Sequence, residues 1–69
     1  MKISARNILK GKVKTMKTGA VNDEIAIELP GGSEIISIIT KSSAEGLGLA
    51  PGKEVYIIIK ASNVMIGVD

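Results

Sequence analysis

Two short segments of this sequence are apolar on both faces of an extended strand, and this feature limits the folds open to the chain. Residues 34–40 contain four isoleucines, two on each side of the pleat, and residues 54–60 arrange Val, Tyr and three Ile in the same way. A strand that is apolar on both faces needs apolar cover on both faces. Because Ile and Val favour strands and Tyr56 is the only aromatic residue, the chain is expected to be all-β.

A chain of 69 residues has too few elements to supply that cover. It forms at most one domain, residues 1–69, and a domain of this size buries only about 60% of the surface of its unfolded chain. Cys and His are both absent, which excludes disulfides and the commonest metal ligands as sources of stability. We therefore expect one face of each segment to pack inside the subunit and the other against another subunit. The alternative is that one face simply exposes isoleucine, as many surfaces do.

Three further strands are predicted from the distribution of apolar and polar residues. In residues 8–16 apolar or small residues alternate with Lys, and in residues 21–29 apolar residues alternate with Glu. Residues 64–68 form a last short apolar run. Asp23 interrupts the apolar face of the second strand near its start. Gly-rich and Pro-Gly sequences between the strands predict turns.

A helical turn is predicted between the third and fourth strands. Ser42 is followed three residues later by Glu45, which is a capping-box pattern, and Gly48 suits the end of a helix. Five short strands with one helical turn in this position are typical of a small, five-stranded, OB-like Greek-key barrel.

The composition argues against an enzyme. Without His or Cys there is no Ser-His or Cys-His pair, and no Gly-rich phosphate loop is present. Asp23 and Glu24 are adjacent on a strand, so their side chains point to opposite faces, and we interpret both as solvated surface. The sequence shows no signal peptide and no apolar run long enough to span a membrane, so the expected compartment is the cytoplasm.

Three polar groups remain as candidates for a binding site, each at the end of an apolar element. The first is Ser4-Ala5-Arg6-Asn7, just before the first strand. Arg6 offers a planar fork of donors that suits an oxyanion, and Ser4 offers a hydroxyl. The alternative is a polar entry to a strand, with Arg6 in a surface salt bridge.

The second group is Thr40-Lys41-Ser42-Ser43, where the third strand meets the helical turn. The first amides of a helix have no partners within the helix and attract anions. The alternative is plain capping by Ser42. Both roles are compatible if Ser42 caps the helix while the amide of Ser43 faces a ligand.

The third group is Lys60-Ala61-Ser62-Asn63, where the fourth strand ends. Lys60 interrupts a run of apolar residues, so its ammonium is a candidate ligand, although an ordinary solvated Lys would look the same. Together the three groups supply hydroxyls, backbone amides, one guanidinium and ammonium charge, with no acid among them. Such a set of donors is suited to an anion.

The sequence also resembles a known family. Residues 3–11, ISARNILKG, closely resemble the opening "SARN-x-LKG" of molbindins, which are single-domain proteins of the Mop/TOBE type. The related domains of molybdate transporter ATPases and molybdate-responsive regulators look similar. The Gly31-Gly32 turn, the strand that ends at Thr40, and residues 60–65 are also similar to the family. The resemblance spans essentially the whole chain.

This resemblance implies an OB-like barrel that assembles into a homohexamer, a trimer of dimers, with molybdate or tungstate bound at subunit interfaces and no other cofactor. It implies that the protein stores these oxyanions and maintains their homeostasis in the cytoplasm. Ala61 would act through its backbone amide. A second type of oxyanion site near the threefold axis would use the turn at Thr18, Gly19 and Ala20. The main site is expected to draw on Ser4, Ala5, Arg6, Asn7, Thr40, Ser43, Lys60, Ala61 and Ser62.

Two other functions are compatible with parts of the sequence. The small basic excess, a formal net charge of +2, would allow an OB-type nucleic-acid binder. Such domains stack bases on aromatic side chains, however, and Tyr56 is the only one available. An oligomerisation or regulatory module without a ligand would explain the apolar strands, but it would not explain Arg6 and Lys60. We therefore expect no nucleic-acid or membrane partner.

Overall fold

The computed structural model describes residues 1–69 as one antiparallel sheet of four strands with a short α-helix. The connection between the third and fourth strands contains the helix, as predicted. No helix in the chain has the length and apolar character needed to cross a lipid bilayer. The elements are β1 (Asn7–Thr18), β2 (Asn22–Glu28), β3 (Glu34–Thr40), α1 (Lys41–Gly46) and β4 (Glu54–Ile59), followed by a 3₁₀ turn (Ala61–Asn63).

The strand order is β3-β2-β1-β4, and every neighbouring pair is antiparallel. Three consecutive strands therefore lie side by side, and the fourth returns beside the first, which is the Greek-key order. The all-β class and the OB-like arrangement are confirmed. β3 and β4 form the two edges of the sheet and are not hydrogen-bonded to each other.

The prediction of a fifth strand at residues 64–68 is wrong for this chain. After the 3₁₀ turn, the only backbone hydrogen bond made by residues 64–69 runs from the Val64 N–H to the Ala61 carbonyl. A strand requires a ladder of such bonds to a neighbour, and no strand lies beside this segment. The sheet therefore has four strands, and the barrel predicted from the sequence is left open between β3 and β4.

β1 is shared between two partners along its length. Its first half, from Asn7 to Lys12, pairs with β4, and its second half, from Lys12 to Thr18, pairs with β2. A bulge between Val13 and Thr15 shifts the register near the crossover, and such bulges bend a strand. Gly11 lies at this bend because a Cβ there would come within 2.8 Å of a backbone oxygen of β2. This arrangement puts the two ends of β1 in different surroundings.

The core is built from β-branched residues on the inner face of the sheet. Val13, Ile25, Ile27 and Ile57 form a buried cluster, and Ala44 of α1 is buried against β2 and β3. The prediction that one face of each Ile-rich strand packs inside the subunit is confirmed. One predicted member of the inner face, Val21, lies instead in the β1–β2 turn and is exposed, because β2 begins at Asn22.

The outer faces of the same strands are exposed in the single chain. Ile36 and Ile38 of β3, and Tyr56 and Ile58 of β4, are between 44% and 66% exposed. Their cover by another subunit stays a prediction. An ion pair also links two strands of the sheet: Lys14 Nζ on β1 lies 2.8 Å from Glu34 Oε2 on β3. The hydrogen bond and the charge of Glu34 together raise the pKa of Lys14.

Candidate functional site

The first and third polar groups meet in one open pocket at the end of the sheet where β1 begins and β4 ends. Asn7 lies opposite Ile59 in the β1–β4 ladder, so residues just before β1 and just after β4 must lie close together. The pocket has a volume of about 660 Å³. We call it the Arg6–Lys60 pocket. Its lining residues are Ile3, Ser4, Ala5, Arg6, Ile58, Lys60, Ala61, Ser62 and Asn63.

The charge of this pocket is entirely positive. Arg6 and Lys60 both line it, and no Asp or Glu does. Neither side chain forms a salt bridge, so the surface salt bridge considered for Arg6 is not formed within the chain. Two hydroxyls and an amide side chain add neutral donors from Ser4, Ser62 and Asn63. An anion in this pocket would meet two unpaired positive charges and several directed donors.

Asn7 has a different position from its neighbours in the first group. It does not line the pocket, and its side-chain Nδ2 donates a hydrogen bond to the carbonyl of Ile59 over 3.3 Å. The side chain thus ties β1 to the last residue of β4, directly before Lys60. Asn63, which was not predicted as a ligand, does line the pocket. Its position directly after Ser62 in the third polar group was the sequence feature that could have identified it as a lining residue.

The second polar group lies at the opposite end of the sheet. Thr40 pairs with Asn22, and Asp23 pairs with Thr18, the last residue of β1. The 12 residues of β1 separate this end from the Arg6–Lys60 pocket, on the order of 30 Å along the strand. The expected union of Thr40 and Ser43 with the other two groups therefore does not occur within one chain.

Thr40, rather than Ser42, caps the helix. Its Oγ1 accepts a hydrogen bond from the Ser43 N–H at 3.0 Å, and its hydroxyl lies 2.7 Å from Ser43 Oγ. The prediction that Ser42 is the cap is wrong because the helix begins at Lys41, two residues earlier than a cap at Ser42 would require. The Ser43 amide, which was expected to face a ligand, is bound to Thr40 in this chain.

The turn suggested as a second oxyanion site borders a separate pocket of about 350 Å³. Thr18 and Gly19 line it, and Ala20 does not. Asp23 and Glu24 also line it, with Lys17 Nζ 3.9 Å from Glu24 Oε2. Within one chain, an anion here would meet two carboxylates and a single, already paired, ammonium.

Asp23 is not the solvated surface residue that the sequence suggested. It is only 4% exposed, and its Oδ1 is buried without a hydrogen-bond partner. Its side chain is on the same face of β2 as Ile25 and Ile27, which form the core. Alternation along β2 therefore turns Asp23 inward and leaves Glu24 on the outer side.

Comparison with known proteins finds similar sequences and structures over the whole chain. The sequence profile of the TOBE domain matches residues 3–66. A Haemophilus influenzae protein named probable molybdenum-pterin-binding protein is 48% identical over 69 residues, which cover all of both chains. The structure of MopII from Clostridium pasteurianum, in its apo2 form, superposes with a TM-score of 0.91 and 46% identity over 97% of this chain and 100% of that chain.

A molybdate-bound crystal structure of the cytoplasmic molybdate-binding protein ModG is similar as well. It superposes with a TM-score of 0.96 and 54% identity and covers 100% of this chain. The match takes up 49% of the ModG chain, so this chain spans about half of that protein.

Proposed function

Because the chain belongs to the TOBE domain family, we propose that it binds molybdate and that the anion is held by the Arg6–Lys60 pocket. The resemblance to molbindins is confirmed by the family match and by the similar structures. The similar proteins form a binding family rather than a catalytic one. We propose accordingly that residues 1–69 act as a single oxyanion-binding domain without enzymatic activity.

The observation that carries this proposal is the acid-free pocket with two unpaired cations. Molybdate is a tetrahedral dianion, and burying its charge is costly unless positive groups and directed donors replace water. Arg6 and Lys60 together match its two negative charges, and both line the pocket without a carboxylate. Charge-assisted hydrogen bonds from such groups are about twice as strong as neutral ones. Tungstate has the same shape and charge and is proposed as an equivalent ligand.

The pocket is open on one side, and this supports a site that is completed by a second subunit. Thr40 and Ser43, the remaining residues of the predicted site, lie at the far end of the same sheet. They can contribute to an anion held by Arg6 and Lys60 only if another copy of the chain brings its own Thr40 end to that pocket. Exposed isoleucines on the outer faces of β3 and β4 provide apolar surface for such contacts.

We propose that these contacts build the hexamer, a trimer of dimers, that the family resemblance implies. The oxyanion sites would then lie at subunit interfaces, with Ser4, Arg6, Lys60 and the Ala61 amide from one chain. The turn at Thr18-Gly19-Ala20 would supply the second type of site only if a partner offsets the carboxylates beside it. The proposed role is storage and homeostasis of molybdate or tungstate in the cytoplasm.

Isothermal titration with molybdate, with and without excess sulfate, tests the proposal directly. Arg6→Ala and Lys60→Ala are each expected to weaken binding roughly 10- to 100-fold, since a hydrogen bond to a charged group contributes about 1.5–3 kcal/mol. Lys12→Ala, which removes an exposed Lys outside the pocket, is the matched control and should bind as the unaltered chain does. Unchanged affinity in both pocket variants would show that the anion binds elsewhere.

An oligomerisation module without its own ligand is the second candidate, and the exposed isoleucines favour it. It predicts a stable oligomer that gives no heat with molybdate, or heat that sulfate abolishes. A nucleic-acid binder is less well supported by the structure, because Lys10 Nζ already lies 5.9 Å from the ring centre of Tyr56, the only aromatic side chain. A gel-shift assay with single-stranded oligonucleotides at low salt is expected to show no complex.

A further inference from the structure

The Arg6–Lys60 pocket has an apolar wall as well as its charged groups. Four of its nine lining residues are hydrophobic, and the two large ones are Ile3 and Ile58. Both remain partly exposed, at 39% and 44%. Neither side chain has a polar atom, so neither can replace the water that an anion loses when it enters the pocket. The pocket therefore offers donors on one side and no donors on the other.

The register of the β1–β4 ladder places Ile58 beside both cations of the pocket. Asn7 lies opposite Ile59 at the end of the ladder. Arg6 and Lys60 are the next residues on the two sides. The backbone of Lys60 is extended, with φ −62° and ψ 130°, so its side chain is on the same side of the strand as that of Ile58. Two such residues lie roughly 7 Å apart along a strand, and an anion held by the two cations therefore lies against Ile58.

An apolar wall beside fixed charges favours a large dianion over a small one. Sulfate and molybdate have the same shape and charge, but sulfate is smaller and is hydrated more strongly. The hydration free energy of an ion varies inversely with its own radius, whereas its attraction to a cation varies inversely with the distance between the two centres. Because that distance includes the radius of the cation, anion size changes the hydration more than the attraction. Where an apolar wall takes the place of water, the smaller ion loses more.

We propose that Ile3 and Ile58 determine the selectivity of the Arg6–Lys60 pocket for molybdate and tungstate over smaller tetrahedral dianions such as sulfate. The two side chains keep water from one side of the anion. The guanidinium of Arg6 contacts the other side and is itself more weakly hydrated than an ammonium. The inference rests on the proposed function, because it concerns the same site and names the residues that set its selectivity.

The dimensions of the pocket support selection by dehydration rather than by a close fit. Its volume of about 660 Å³ is much larger than a single tetrahedral oxyanion, so one chain does not exclude sulfate by size. The cations do not distinguish the two anions by charge, because both are dianions. The apolar wall is the remaining feature of the pocket that treats a small and a large dianion differently.

The ratio of the dissociation constants for sulfate and molybdate, measured by isothermal titration, tests this proposal. Ile58→Thr keeps a β-branched side chain on the strand and adds a hydroxyl that can donate to the anion. We expect the ratio to fall roughly three- to tenfold, because the hydroxyl returns to sulfate part of the hydrogen bonding that it loses with its water. Selenate, a tetrahedral dianion of intermediate size, should show a smaller gain than sulfate.

Two control variants separate an effect of the apolar wall from an effect on folding or assembly. Ile58→Val keeps the wall apolar and should keep the ratio of the unaltered chain. Ile36→Thr makes the same chemical change at an exposed isoleucine of β3 outside the pocket, and it should also keep the ratio. Sedimentation velocity on each sample reports whether the oligomer is preserved. A role of Ile58 in subunit contacts alone would change the mass and leave the ratio unchanged.

Ile3→Thr provides a second measurement that does not alter a strand, because Ile3 precedes β1. It should lower the ratio in the same direction, even if Ile58→Thr fails to assemble. An unchanged ratio in both Thr variants, or an equal fall in Ile58→Val, would overturn the selectivity proposal alone, provided that molybdate binding still requires Arg6 and Lys60. Absence of molybdate binding by the unaltered chain would overturn the proposed function as well.

Discussion

Asn7 shows how one side chain can position a binding site without touching the ligand. Its amide donates to the carbonyl of Ile59 and so fixes the end of β4 directly before Lys60. The ammonium of Lys60 depends on that strand end for its place beside Arg6. The backbone on both sides of the Arg6–Lys60 pocket is therefore held by a single side-chain hydrogen bond in addition to the ladder.

Asn7→Ala is expected to lower the free energy of unfolding by about 1 kcal/mol, the usual net contribution of one hydrogen bond. It should also weaken molybdate binding, although the side chain does not line the pocket. Urea denaturation and calorimetric titration of the same sample measure both effects. Asn22→Ala is the control, because Asn22 is exposed and its side chain makes no hydrogen bond. Lost stability with unchanged affinity would show that Asn7 is structural only.

Asp23 is the one polar side chain whose environment in the single chain is unfavourable. Its buried Oδ1 has no hydrogen-bond partner, and a desolvated carboxylate oxygen without a donor is costly. Asp23→Asn keeps the shape and removes the charge, so we expect it to raise the free energy of unfolding by about 1 kcal/mol or more. Glu45→Gln on the exposed surface of α1 is the control. A loss of stability in Asp23→Asn would instead indicate that a partner subunit donates to this carboxylate.

At the scale of the element, the β3–α1 junction depends on Thr40. Its side chain satisfies the Ser43 amide at the start of a six-residue helix, which is too short to be stable alone. Thr40→Ala is expected to cost about 1 kcal/mol of stability, as the loss of an N-cap usually does. Ser42→Ala, two residues along, should change stability little because the Ser42 hydroxyl makes no hydrogen bond. Thermal unfolding of the two variants compares them, and a larger loss in Ser42→Ala would contradict the assignment of the cap.

The same junction shows why some elements could be predicted from the sequence and others could not. The bounds of β3 follow from its four isoleucines, and its predicted and observed limits agree. The cap could not be chosen from pattern alone, because Thr40, Ser42 and Ser43 all carry hydroxyls and the helix start decides between them. For β1 and β4, the alternation predicted the strands, and the antiparallel register then brought Arg6 and Lys60 together.

At the scale of the whole molecule, the sequence could not show which features depend on contacts with a second subunit. The apolar run at residues 64–68 has the composition of a strand, but a strand exists only where a neighbour supplies its hydrogen bonds. The predicted site is likewise divided between the two ends of the sheet, because a single chain cannot bring its parts together. Thr40 and Ser43 were grouped with Lys60 by resemblance, and the antiparallel order places them apart in a single subunit.

Ligand binding should therefore be visible in the stability of the whole assembly. A ligand that binds only the folded protein stabilises it by RT ln(1 + [L]/Kd), which is about 2.7 kcal/mol at 100 times Kd. Molybdate at that concentration is expected to raise the melting temperature, whereas sulfate at the same concentration should raise it less. Arg6→Ala should lose most of the molybdate effect on the melting temperature. Its melting temperature without ligand should stay close to that of the unaltered chain, because Arg6 makes no salt bridge in the fold.

If the subunit interface completes the site, the molybdate effect on the melting temperature should also grow with protein concentration, since ligand binding and assembly then stabilise each other. A shift that is independent of protein concentration would place the whole site within one chain.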